Sequence, residues 1–137
     1  MRIALCIEKS NGFSFNNRRL SQDGAILYKL SELAGDGKIC LNEYSSKLFL
    51  EKDNLKISEN FFSEAEEKDI CFVENSMIPE LKKITEIYLF KWNRDYPADT
   101  YFLLDLKNNG FNKVKTENFA GTSHKQITLE IYRKETT

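Results

Sequence analysis

Four short apolar runs constrain this chain more than anything else in it: Ile3 to Ile7, Ile39 to Leu41, Ile70 to Val73 and Ile87 to Phe90. Each is continuous rather than alternating. A strand with one wet face alternates apolar and polar residues, whereas a strand covered on both faces has no need to. Segments of helical or turn character separate the runs. They therefore read as strands of a largely parallel sheet joined by right-handed crossovers. The expected fold is an α/β single domain over residues 1–137. It is a mixed, mainly parallel sheet flanked by helices, with antiparallel additions near the C-terminus. A chain of 137 residues is long enough to bury a core of its own.

The clearest helix spans about Gln22 to Ala34. Ser21 is placed to cap it, Asp23 suits its first turn, and Gly35 is placed to end it. Ile26, Leu27, Leu30, Leu33 and Ala34 fall on one stripe. A second, shorter helix is expected from Asn42, with Leu48 and Phe49 turned inward. Ser63 and Glu66 have capping-box spacing for a third. Ser76 would cap a fourth, with Pro79 in a first turn that does not need its N–H. Glu51 to Asn60 is polar and reads as an excursion or hairpin. Tyr101 to Leu106 reads as a strand and Asn108-Asn109-Gly110 as a turn. The alternation of Ile127, Leu129 and Ile131 with Thr128, Glu130 and Tyr132 marks a half-exposed strand.

Composition narrows the function. Lys plus Arg total 20 against 21 for Asp plus Glu, a net charge of −1, so binding of nucleic acid by bulk charge is excluded. No apolar run approaches the ~20 residues of a membrane span. The apolar stretch at the start is too short for a signal peptide. Cys6, Cys40 and Cys71 are odd in number and lack metal-ligand spacing. They read as buried thiols, which fits a reducing cytoplasm. His124 is the one histidine and cannot build a multi-histidine metal centre. No metal and no cofactor is expected. A glycine-rich phosphate loop and a GxSxG elbow are both missing from the sequence.

In an open α/β sheet, ligands bind beyond the carboxyl ends of the strands. The residues following the four runs gather Arg18, Arg19, Asn42, Tyr44, Glu74, Lys91, Trp92 and Arg94 on that rim, and these are the binding candidates together with His124. Arg18 and Arg19 precede a helix N-terminus and could hold a phosphate, or simply be solvated. Glu8 and Glu74 could form an acid–base pair, or balance the arginines. Trp92 could stack on a base, anchor a partner or pack in the core. Pro97 and Asp99 shape a turn. His124 is the single catalytic candidate, a base acting on a substrate held by the arginine pair. A Lys, Tyr or carboxylate would then supply the second proton transfer. Ser123 is expected to diverge from its neighbour, so that dipeptide is not read as a nucleophile–base dyad.

Five segments together carry a family resemblance: Phe15-Asn16-Asn17-Arg18-Arg19-Leu20-Ser21-Gln22-Asp23, Asn42 to Phe49, Cys71-Phe72-Val73-Glu74-Asn75, Phe90 to Asp99, and Gly121 to Thr128. The set resembles a family of small bacterial proteins often labelled "ribonuclease Z" that lack the metal motif of that enzyme. In type, the chain also resembles the immunity proteins of contact-dependent growth-inhibition systems. That second likeness implies a small cytoplasmic protein that binds a nuclease toxin and occludes its active site. Glu64, Glu66, Glu67 and Asp69 could face the basic cleft of such a toxin. The first functional expectation is accordingly an immunity factor with a protein partner. The alternative is a metal-independent nucleotide- or RNA-binding protein, or a phosphodiester-acting enzyme, with a polar site at the strand ends.

Overall fold

In the computed structural model, residues 1–135 are described. The chain forms β1 (Arg2–Ile7), β2 (Gly12–Phe15), β3 (Arg18–Arg19), α1 (Gly24–Ala34), β4 (Ile39–Leu41), α2 (Glu43–Ser46), β5 (Leu55–Ile57) and α3 (Phe61–Glu64). Then follow β6 (Ile70–Phe72), β7 (Glu86–Lys91), β8 (Thr100–Tyr101), β9 (Phe111–Phe119) and β10 (Ile127–Lys134), with 3-10 turns at Leu81–Lys83 and Lys107–Asn109. The main sheet has seven strands in the order β5-β4-β6-β1-β7-β10-β9. β1 pairs in parallel with both β6 and β7, and β4 pairs in parallel with both β5 and β6. β10 runs antiparallel between β7 and β9. The expected α/β class, mainly parallel with antiparallel additions at the C-terminal end, is the observed one.

The continuous apolar runs have the cause inferred for them. Ala4, Phe72, Tyr88 and Phe90 face one side of the sheet, against Ile26, Leu30 and Ala34 of α1. Ile3, Leu5, Ile7, Cys71, Val73, Ile87 and Leu89 face the other. That second face is closed by Phe13, Phe61, Ile84, Leu106 and Phe111, which come from short elements and loops. Helical cover is therefore thinner than expected, because α2 and α3 are single turns of four residues.

Several local expectations are corrected. Asp23, not Ser21, caps α1, and its side chain accepts from the Ala25 N–H. The carboxylate forms the stronger cap because it also bonds the loop at 122–124. Asn42 does cap α2, its Oδ1 accepting from Ser45 N at 2.9 Å. Ser63 lies inside α3, which starts two residues earlier, at Phe61. No helix follows Ser76: Pro79 holds the preceding residue extended, and only the turn at Leu81–Lys83 forms. The polar excursion contains β5, a parallel edge strand. The strand read over Tyr101 to Leu106 shrinks to β8, with Leu103 exposed beyond it. β9 was not foreseen, because it is an exposed edge strand whose alternation carries almost no apolar signal.

A second, three-stranded sheet in the order β3-β2-β8 folds over the carboxyl ends of the main strands. Its hairpin turns on Asn16 and Asn17, with φ of 50° and 61°. Two successive positive-φ residues make the two-residue loop whose twist matches its strands, and Asn tolerates that region. No helix among the described residues is long and apolar enough to cross a membrane.

Candidate functional site

The centre of the rim is a carboxylate. Asp23 Oδ1 accepts from Ala25 N, Thr122 N and Thr122 Oγ1 at 2.9–3.0 Å. Its Oδ2 accepts from Ser123 N, His124 N, Ser123 Oγ and the His124 ring at 2.9–3.1 Å. Burial pushes this carboxyl up, but the N–H groups of Thr122 and Ser123, then His124 and Ala25, outweigh it. The group is held well below the usual carboxylate range and is ionised at neutral pH.

Because an ionised carboxylate accepts only, His124 Nδ1 carries the proton in their 3.0 Å contact. That fixes the tautomer and turns Nε2 the other way. Nε2 lies 2.8 Å from the Tyr96 hydroxyl and 3.3 Å from Ser21 Oγ. Nε2 is thus an acceptor, and the Tyr96 hydroxyl donates to it, with the Tyr96 oxygen 3.4 Å from Ser21 Oγ. The Trp92 indole stacks on the imidazole, with ring centroids 4.5 Å apart, and Tyr96 meets the same imidazole edge-on. Asn93, at φ 60°, makes the turn after Trp92 and ties it to β10 through Gln126 O and Thr128 Oγ1. A cleft of about 430 Å3 opens beside the ring, lined by Trp92, Arg94, His124 and Lys125 among others. Arg94 also lies over the Tyr96 ring, 5.5 Å from its centroid.

A second cluster latches the hairpin. Arg19 makes two bonds to the Glu74 carboxylate, at 2.9 and 3.0 Å. Its guanidinium lies 4.1 Å over the Tyr44 ring, while its backbone N–H donates to the Tyr44 hydroxyl. Ser45 Oγ donates to Glu74 Oε1 at 2.8 Å. Asn42 donates to Asn75, and Asn75 donates to the Asn17 carbonyl on the hairpin tip.

The rim thus brings together Arg19, Asn42, Tyr44 and Glu74 in one cluster, and Trp92, Arg94 and His124 in another. Arg18 stays exposed on the hairpin, away from both clusters' bonds. Lys91 is not on this rim. Strand alternation turns it to the opposite face, where it pairs with Glu130 at 3.1 Å. Glu8 is neither an acid–base partner nor an arginine counter-ion, because its carboxylate closes the β1–β2 turn by accepting from Ser10 N and Gly12 N. Ser123 does not diverge from His124: its hydroxyl lies 3.2 Å from Nδ1. Both side chains wrap the same carboxylate, so Ser123 sits on the Asp23 side of the ring.

Tyr96, and Asp23 as the partner of His124, went unread in the sequence, while Ser21 was read as a helix cap and one of the polar residues of the rim. Their signal is the run Gly121-Thr122-Ser123-His124, rich in hydroxyls and close-spaced N–H groups suited to wrap an anion. Chemically, an imidazole with a fixed tautomer, a phenol and a serine hydroxyl around one point can take up and return protons.

No family model and no curated protein matches the sequence. Solved structures do match. One is a dihydrofolate reductase from Enterococcus faecalis complexed with NADP(H) and RAB-propyl, at TM-score 0.68 and 10% identity. The likeness covers 98% of this chain and 96% of the reductase. At that identity it establishes the fold, a dihydrofolate-reductase-like α/β sheet. It overturns the resemblance to the ribonuclease Z-labelled family and to immunity proteins as guides to this chain. The immunity, toxin–antitoxin and growth-inhibition readings fall with it, as does the expected toxin partner. The similar reductase is complexed with NADP(H) and RAB-propyl. Composition and residue type misled here, because neither carries topology.

Proposed function

We propose that this chain is a small metal-independent enzyme acting on a phosphate ester of nucleotide type, with His124 as its general base and acid. One observation carries the reading. A buried, ionised Asp23 fixes the His124 tautomer and presents Nε2 to Tyr96 and Ser21 at the strand-end rim. An imidazole oriented in this way presents Nε2 as a proton acceptor. The adjoining cleft offers Arg94 and Lys125 to an anion. Among the described residues no three His, Cys, Asp or Glu side chains are grouped to hold a metal ion. Three free thiols are consistent with the cytoplasm.

Nucleotide binding on a similar fold supports the substrate class by analogy alone. The gap bounded by Phe13, Arg19, Ser21, Glu74 and Trp92 is narrow, about 10 Å3. The Glu43 and Ser45 N–H groups at the start of α2 are already bonded by Glu59 and Asn42.

The test is hydrolysis of bis(p-nitrophenyl) phosphate and of 2′,3′-cyclic mononucleotides by the purified chain. Wild type should turn over at least one of them. His124→Ala should lower kcat by roughly 100-fold or more, and Arg94→Ala should mainly raise KM. Failure of wild type to cleave any of these substrates, with no change in Trp92 emission at millimolar mononucleotide, would refute the reading.

A further inference from the structure

Ser21 stands apart from the other serines near the site. The hydroxyls of Ser46, Ser63 and Ser123 bond backbone carbonyls, and that of Ser45 bonds the Glu74 carboxylate. Ser21 does not cap its helix, because Asp23 does. Among the described residues, the hydrogen bonds of the Ser21 hydroxyl are to His124 Nε2 and Tyr96 OH. Ser21 and Asp23 straddle Gln22, so the short link from β3 to α1 places one on each side of the imidazole. The order of exposure suits a nucleophile: Asp23 and His124 are buried, and Ser21 is half-buried outside them.

We infer that Ser21 is the nucleophile of this site, held in a Ser21–His124–Asp23 array and attacking phosphorus to give a phosphoseryl intermediate. The inference deepens the proposed phosphate-ester reading and rests on it for the natural substrate. In the first step Ser21 Oγ bonds phosphorus as the bond to the leaving alcohol oxygen breaks. The Ser21 proton passes to His124 Nε2 and from there to the leaving alkoxide. In the second step water attacks phosphorus, gives its proton to Nε2, and the Ser21 Oγ–phosphorus bond breaks. His124 then returns the proton to Ser21. One water is consumed, one alcohol and one phosphomonoester are released, and no oxidant or reductant enters. Tyr96 OH, within 3.4 Å of Ser21 Oγ, is placed to donate to the serine oxygen as it leaves. Arg94 and Lys125, which line the cleft beside the imidazole, supply positive charge, while Arg19 is held by the Glu74 carboxylate.

The experiment uses diisopropyl fluorophosphate, whose fluoride leaves on attack, followed by intact mass and peptide mapping. The full chain should gain one diisopropylphosphoryl group, on the Leu20 to Lys29 peptide at Ser21. Ser21→Ala should gain none and should lose phosphodiester turnover by roughly 1,000-fold. Labelling of wild type should accelerate as pH rises, because only an unprotonated Nε2 can take the Ser21 proton. The pH profile needs no variant, so it stands even if His124→Gln fails to fold. The inference is overturned by labelling confined to other residues, by no labelling, by a flat pH profile, or by undiminished turnover in Ser21→Ala. If wild type labels at Ser21 but cleaves no phosphodiester, the nucleophile stands and the substrate class falls.

Discussion

Asp23 carries two duties on one side chain. It caps α1 and it fixes the tautomer of His124. The Asp23→Asn variant keeps the shape but loses the charge, and its amide can present an N–H to Nδ1. The imidazole then favours the other tautomer. Turnover should fall by roughly 100- to 10,000-fold, with the pH–rate profile displaced, because the damage lies in the protonation state of His124 rather than in substrate contact. Asp69 is a second buried carboxylate, with no role at the rim. Burial raises its pKa, but the N–H groups of Lys38 and Glu66 and the Lys56 ammonium bring it down to about 2. A depressed carboxylate stabilises the fold above its unfolded value of about 4, and that stability is lost as pH falls through the folded value. Acid unfolding of wild type should therefore steepen between about pH 4 and 2. In Asp69→Asn that dependence should be reduced, and stability at pH 7 should drop by about 2–4 kcal/mol in urea titrations.

The β2–β3 hairpin is fastened to the rim by a cluster centred on Glu74. Glu74 is buried, and one of its oxygens serves both Arg19 and Ser45. Glu74→Ala leaves a half-buried guanidinium without its carboxylate and should cost about 2–4 kcal/mol. Hydrogen exchange should quicken first at residues 12–19 if the latch is local. At the hairpin tip, Asn17→Gly keeps the positive φ and should be neutral or stabilising by a few tenths of a kcal/mol, whereas Asn17→Val should cost about 1–2 kcal/mol. Thermal melts of the pair decide it. The sequence made the two arginines visible, but neither the hairpin that carries them nor their destinations. Arg19 is turned inward because Glu74 waits at the end of β6, and no local pattern announces a pairing across 55 residues. Lys91 was misplaced for the opposite reason: a position next to Trp92 does not share its face. The four apolar runs were legible because double-sided burial erases alternation, while the edge strand β9, made almost wholly of polar residues, was not.

At the scale of the molecule, the site is a closure between distant parts of the chain. Residues 21–23 meet residues 122–124 through Asp23, and the approach requires Gly121, where a Cβ would run into Asp23 Oδ2 and the His124 carbonyl. Gly121→Ala should therefore lower stability by about 2 kcal/mol, read as a fall of roughly 5–10 °C in Tm. It should lower turnover as well, because the same shift moves the imidazole. The dihydrofolate-reductase-like topology was open to sequence reasoning as a class but not as a strand order.

β10, which follows β7 and β9 in the chain, sits inside the sheet between them rather than at its rim. Until the residues beyond 120 have joined the sheet, β7 presents a bare, apolar flank, and Asp23 has no imidazole to bind. Such a flank pairs readily with other unfinished chains. The completed sheet and the Asp23–His124 pair therefore arrive together. Loss of the segment that holds β10 would undo both at once.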